Sequence, residues 1–138
     1  MRFAVSPLAP IGAGVLAGTM QLRRKRAYDT AQATDGFRVL VDRLWPRGLS
    51  KERAEIDLWA KDTAPSPELR KAWHAASDGD WSEYADRYRA ELTNESAHAL
   101  EKLAGELKKH GVVTLVYAAQ DEEHNHAVVL EQALSALL

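Results

Sequence analysis

VVTLVYAAQDEEHNHAVVLEQALSALL, residues 112–138, sets an apolar run, a short acidic and histidine-bearing loop and a helical pattern end to end. From Val112 to Ala119 there is no charge. A run of this kind, rich in valine, reads as a strand buried on both faces, which is the habit of a parallel sheet covered on each side. Downstream, Ala127, Val128, Leu130, Leu134 and Leu137 fall on one side of a helix. Asp121 is placed to cap that helix, with Glu122 and Glu123 in the first turn, where acids complement the dipole. Strand, loop and helix in this order form the half-unit of an α/β fold.

The same alternation continues upstream. FRVLVD, 37–42, is a second strand rich in branched residues, LRRKRAY, 22–28, a third candidate, and IDLWAKD, 56–62, a fourth that sets Ile56, Leu58 and Ala60 against Asp57, Trp59 and Lys61. Helical signals lie between them and the last strand. Ser66-Pro67-Glu68 supplies an N-cap, a first-turn proline and an acid ahead of Leu69, Ala72, Trp73 and Ala76, and Asp78-Gly79 is expected to end that helix. A second helix opens near Asp80 and carries Trp81, Tyr84, Ala85, Tyr88 and Leu92 on one side. A third, over 95–109, presents Ala97, Leu100, Leu103, Ala104 and Leu107 and stops at His110-Gly111. The expected architecture is a small layered α/β fold, with a mainly parallel sheet of about four strands and helices on both faces. Strand order is left open.

A chain of 138 residues suits one domain, here 22–138. The preceding 21 residues differ in character: Pro7, Pro10, Gly12, Gly14 and Gly18 interrupt the apolar residues and argue against a spanning helix. The segment reads as a disordered extension or a start site placed upstream of Met20. A cleaved signal peptide is the competing reading, weakened by a single Arg2 and no clear cleavage site. The net charge of −2 gives no general pull towards nucleic acid or an acidic membrane. The absence of cysteine removes disulfides, thiolate nucleophiles and Cys-ligated metals, and fits a cytoplasmic location.

In a parallel sheet, ligands sit beyond the carboxyl ends of the strands. There the sequence reads VDRLWPRGLSK, 41–51, with three cations and no acid from Arg43 to Lys51. Pro46 holds Trp45 extended, Gly48 permits a tight turn and Ser50 can cap a short helix. Arg43 and Arg47 suit bidentate contact with a phosphate or carboxylate, Lys51 adds a point charge, and Trp45 would wall the pocket. The plainer alternative pairs Arg43 with Asp42, Asp62 or Asp121 and makes Trp45 a core plug whose indole N–H meets a carbonyl. Lys61 and Arg70 are secondary cations, Arg70 lying on the polar side of its helix. His124 and His126, two apart, would diverge by about 200 degrees on a helix, which argues against a shared metal ion. His124 with Asp121 is the better acid–base or hydrogen-bonding candidate. No nucleophile elbow, Walker lysine or G-x-G-x-x-G motif occurs.

The segments DGFRVLVDRLWPRGLSK, LWAKDTAPSPELRKAW, RYRAEL and LVYAAQDEEHNHAVVL together resemble the YeaO-like branch of the domain of unknown function 488 family, over about Leu22 to Leu134. The resemblance implies a cytoplasmic, bacterial-type α/β protein and no established activity. Other branches carry cysteines where this chain has Tyr117 and Asn125, an acid at Ala119 and an arginine at Ala127, while Ala118, Asp121, His124 and His126 match. A thiol-based role is thereby excluded. The resulting expectation is a pocket for a small anionic ligand, a phosphorylated metabolite or nucleotide, with no metal or cofactor. The alternative is a module docking nucleic acid or a protein through the same patch, aided by Arg23 to Arg26.

Overall fold

The computed structural model describes residues 20–76 and 80–138. The expected helix stop at Asp78-Gly79 and the reading of the first 19 residues fall outside them. Four strands, β1 (Gln21–Arg26), β2 (Phe37–Leu40), β3 (Leu58–Trp59) and β4 (Val112–Tyr117), form one sheet in the order β1-β4-β2-β3. Every pairing is parallel, and the register brings Arg26 opposite Tyr117, Val116 opposite Leu40, and Leu40 opposite Trp59. The carboxyl ends of all four strands therefore form one rim. Gln21 already belongs to β1 and Met20 packs partly on the core, so the fold reaches back past Leu22.

The helices are α1 (Lys51–Ala54), α2 (Pro67–Ala75), α3 (Trp81–Thr93), α4 (Ala97–Leu107) and α5 (His126–Ser135). Alternation along the central strands divides the core in two. Val39, Val41, Val113, Leu115 and Tyr117 pack with Leu69 of α2, Tyr88 and Leu92 of α3, Leu103 and Leu107 of α4, and Leu130 and Leu134 of α5. Leu40 and Val116 point the other way, onto Ala27, Leu49, Ala54, Trp45, Ile56 and Trp59. Among the described residues, helices thus lie on both faces, the four longer ones sharing one face and α1 lying on the other. Chain direction accounts for this. The links β1 to β2 and β2 to β3 advance across the sheet, whereas the long link from β3 returns to β4, and right-handed crossovers put advancing and returning links on opposite faces.

Two local expectations change. The strand expected over 56–62 shrinks to Leu58–Trp59, because Glu55 adopts a left-handed conformation (φ 47°) before it and residues 61–63 coil into a 3-10 turn after it. Ile56 consequently lies on the opposite side of the sheet from Leu58 and Ala60. Asp121 does not cap α5. Its Oδ1 accepts the backbone N–H groups of Glu123 and His124, which closes a turn of its own. The cap is Asn125, whose side-chain oxygen accepts the N–H of Ala127 while its amide donates to the Asp121 carbonyl. The shift changes the buried set of α5, which is Ala127, Val129, Leu130 and Leu134, and leaves Leu137 exposed.

The approach to β2 carries a buried charge cluster. Arg38, 2% exposed, bonds Asp35 at 2.6 Å and the Ala54 carbonyl at 3.0 Å, while Lys25 reaches the same carboxylate at 3.1 Å. Thr114 of β4 donates to the Asp35 carbonyl. Burial pushes the Asp35 carboxyl upward, but hydrogen bonds from Gln32, Lys25 and Arg38 outweigh it and hold the group below its ordinary value.

Candidate functional site

Beyond the rim, β2 and β4 diverge: the chain leaving β2 passes to the α1 face and the chain leaving β4 to the α5 face. Neighbouring strands with opposite exits open a crevice. Asp42, the second residue after β2, spans it. Its Oδ2 accepts the N–H of Ala118, its backbone carbonyl accepts the Trp59 indole N–H, and its Oδ1 lies 3.0 Å from Nε2 of His126. His126 Nε2 also lies 3.2 Å from the Val41 carbonyl, in hydrogen-bonding alignment. Asp42 Oδ1 is nearer but not in hydrogen-bonding alignment with it. Both side chains are 16% exposed.

Beside His126, a crevice of about 170 Å³ lies between α2 and the chain leaving β4, lined by Arg70, Trp73, His74, His124, Asn125 and His126 among others. Arg70 stands apart chemically. Its Nε is buried and has no hydrogen-bond partner in the described chain. Arg70, expected on the polar side of its helix, is half-buried and lines the crevice. His124 is exposed; its Nδ1 lies 3.2 Å from Asp121 Oδ2 and its ring stands edge-on to Trp81. Hydrogen bonds from the backbone of Glu123 and His124, then from the His124 ring, hold the Asp121 carboxyl below its ordinary value. Because residues 121–125 form a turn, His124 lies outside α5, and the 200-degree divergence expected from His126 does not apply. Among the described residues, no group of three or more His, Asp or Glu is arranged to hold a metal ion.

The cations of the WPRG loop are not gathered in this crevice. Arg43 donates to the carbonyls of Pro65 and Ala64, so it ties the β2 exit to the segment before α2 rather than pairing with a carboxylate. Trp45 donates its indole N–H to the Leu49 carbonyl and packs edge-on against Trp59, which is the plug arrangement. Arg47 and Lys51 are exposed, and the Arg47 carbonyl accepts the Tyr28 hydroxyl. Lys61 lies over the Trp59 ring at 4.3 Å. The Arg23 to Arg26 run is also engaged: Arg23 with Thr34 and Gln21, Arg24 with Glu131, Lys25 with Asp35, and Arg26 with the Ala119 carbonyl. Asp42 and His126 escaped the sequence reading of the site. The available signal was an aspartate just past a strand and a histidine at the start of a helix.

A sequence profile described as the inactive DUF488-N3 subclade matches residues 21–138. The chain belongs to the DUF488 family. It is 41% identical over 118 residues to "Uncharacterized protein YeaO" of Escherichia coli, which covers 86% of this chain and all of the relative. It is equally similar, over 116 residues, to "Uncharacterized protein Rv3073c" of Mycobacterium tuberculosis, covering 83% of this chain and 94% of the relative. No solved structure gives a significant match. In this DUF488 chain the two positions that resemble cysteine sites of other branches have structural duties. Tyr117 is 2% exposed in the core, and Asn125 caps α5.

Proposed function

We propose that the protein binds the oxyanion head of a small ligand, a phosphate or carboxylate group, in the crevice between α2 and the chain leaving β4. Arg70 is the principal cation, with His124 and His126 as polar partners and Trp73 as an apolar wall. The observation that carries this reading is the buried Arg70 Nε without an acceptor. An unmet charged donor of this kind costs about 1–3 kcal/mol or more, and an oxyanion would relieve it. The crevice, about 170 Å³, is smaller than the roughly 300 Å³ at which sites for drug-sized ligands begin. The oxyanion head would fit inside and any larger body would project into solvent. Arg47 and Lys51 would act from outside by steering. A cytoplasmic location fits a chain without cysteine.

Thermal unfolding in inorganic phosphate tests the reading. Saturating phosphate is expected to raise the wild-type melting temperature by several degrees, since about 100-fold excess over Kd adds roughly 2.7 kcal/mol. Arg70→Ala should melt at or slightly above the wild-type temperature without phosphate and show no rise with it. A wild type indifferent to phosphate and to simple carboxylates overturns the proposal. Binding confined to long polynucleotides, with steep salt dependence, would transfer the function to a nucleic-acid module.

A further inference from the structure

The environment of His126 bears on which oxyanion the crevice prefers. Its Nε2 faces two acceptors, the Val41 carbonyl at 3.2 Å and Asp42 Oδ1 at 3.0 Å. A neutral imidazole has one N–H and one lone pair. A lone pair at Nε2 would oppose two oxygens, so the proton of the neutral ring belongs on Nε2. Asp42 is itself held: Oδ2 accepts the Ala118 N–H and its carbonyl accepts the Trp59 indole. The pair therefore has little freedom to exchange roles. Nδ1 is left with a lone pair, it has no partner in the described chain, and the imidazole lines the crevice that Arg70 also lines.

We infer that His126 is the specificity-determining residue of this crevice, presenting Nδ1 as an acceptor that selects an oxyanion bearing its own O–H, as hydrogen phosphate does, over one that bears none, as sulfate does. The two ions match closely in shape and charge, so Arg70 alone would hardly separate them. Hydrogen phosphate donates its O–H to Nδ1 while its remaining oxygens face the guanidinium. Sulfate instead sets an oxygen lone pair against the nitrogen lone pair, and an unpaired contact of this kind is how a polar site rejects a near-isostere. Asp42 is the positioning residue, acting through the ring rather than on the ligand. Among the described residues, the other charged or titratable groups near the imidazole include Arg70, His74 and His124 in the crevice and Tyr88 from α3, whose ring centre is 6.3 Å away.

This inference rests on the crevice being an oxyanion site, and calorimetry with inorganic phosphate and with sulfate separates the two claims. At about pH 8, phosphate is expected to bind at least about tenfold more tightly than sulfate. His126→Leu fills much of the ring's place and carries no acceptor. It should lower phosphate affinity to the sulfate level and leave sulfate unchanged. Nitrogen-15 chemical shifts of the wild-type ring, which need neither ligand nor variant, should report the Nε2–H tautomer. Equal wild-type affinities for the two ions, or an Nδ1–H tautomer, overturn the inference while the oxyanion site stands. Failure of both ions to bind removes the site and the inference together.

Discussion

Gly36 and Gly48 both have left-handed backbones, at φ 66° and 77°, but their surroundings differ. A Cβ at Gly36 would stand 2.3 Å from the Val112 carbonyl oxygen, where the chain entering β2 crosses the start of β4, whereas a Cβ at Gly48 would meet open space. Gly36→Ala is therefore expected to cost about 3 kcal/mol or more in urea unfolding, and Gly48→Ala only about 1 kcal/mol. Asp35 gives a prediction with a pH signature. Its folded-state carboxyl lies below the ordinary value of 3.8, so its contribution is complete above that value and is lost as pH falls through the folded value. Asp35→Asn should cost about 3 kcal/mol near neutral pH, where it strands the buried Arg38, and the gap from wild type should close in acid. A gap that stays constant down to acid unfolding would contradict the ion-pair account. At this scale the sequence displayed which residues were unusual but not their partners. Trp45 could wall a pocket or plug a core on sequence grounds, and only the Leu49 carbonyl beneath its indole decides.

The aromatic row of α3 follows helical spacing, and its members share the work unequally. Tyr88 is fully buried and donates its hydroxyl to the Thr63 carbonyl, tying α3 to the turn after β3. Burial, then the nearby Glu91 and Asp42 carboxylates, push its phenol far above the ordinary range, so it remains a donor at any physiological pH. Trp81 and Tyr84 are only half-buried, grouped with Trp73 of α2. Tyr88→Ala is expected to cost about 4 kcal/mol, and Tyr88→Phe about 1–3 kcal/mol because the Thr63 carbonyl loses its donor. Trp81→Ala should cost less than Tyr88→Ala; the reverse order in chemical denaturation would relocate the centre of the helical layer. Helix existence was legible because periodicity and caps are local, as Ser66 shows by accepting the Leu69 N–H. Boundaries were less so. Between Asp121 and Asn125, two residues with equal capping ability, the choice turned on which backbone groups the β4 exit left free, and that is not a local property.

For the whole molecule, the parallel α/β class was readable because buried strands need continuous apolar runs and amphipathic helices need a stripe, both written in the order of residues. The expectation of a site beyond the strand ends followed from the same class. Strand order did not. Placing β4 between β1 and β2 depends on the long return through three helices, and many pairings of four short strands satisfy the same hydrophobic pattern. That order sets Asp42 opposite His126, 84 positions later, and brings Arg70 to the crevice. It also draws Arg43 onto the carbonyls of the segment before α2. The sequence by itself determined the elements, the absence of thiol chemistry and the stock of cations. The tertiary structure alone decided which cations are consumed within the protein and which keep unmet donors, because that depends on packing between segments distant along the chain.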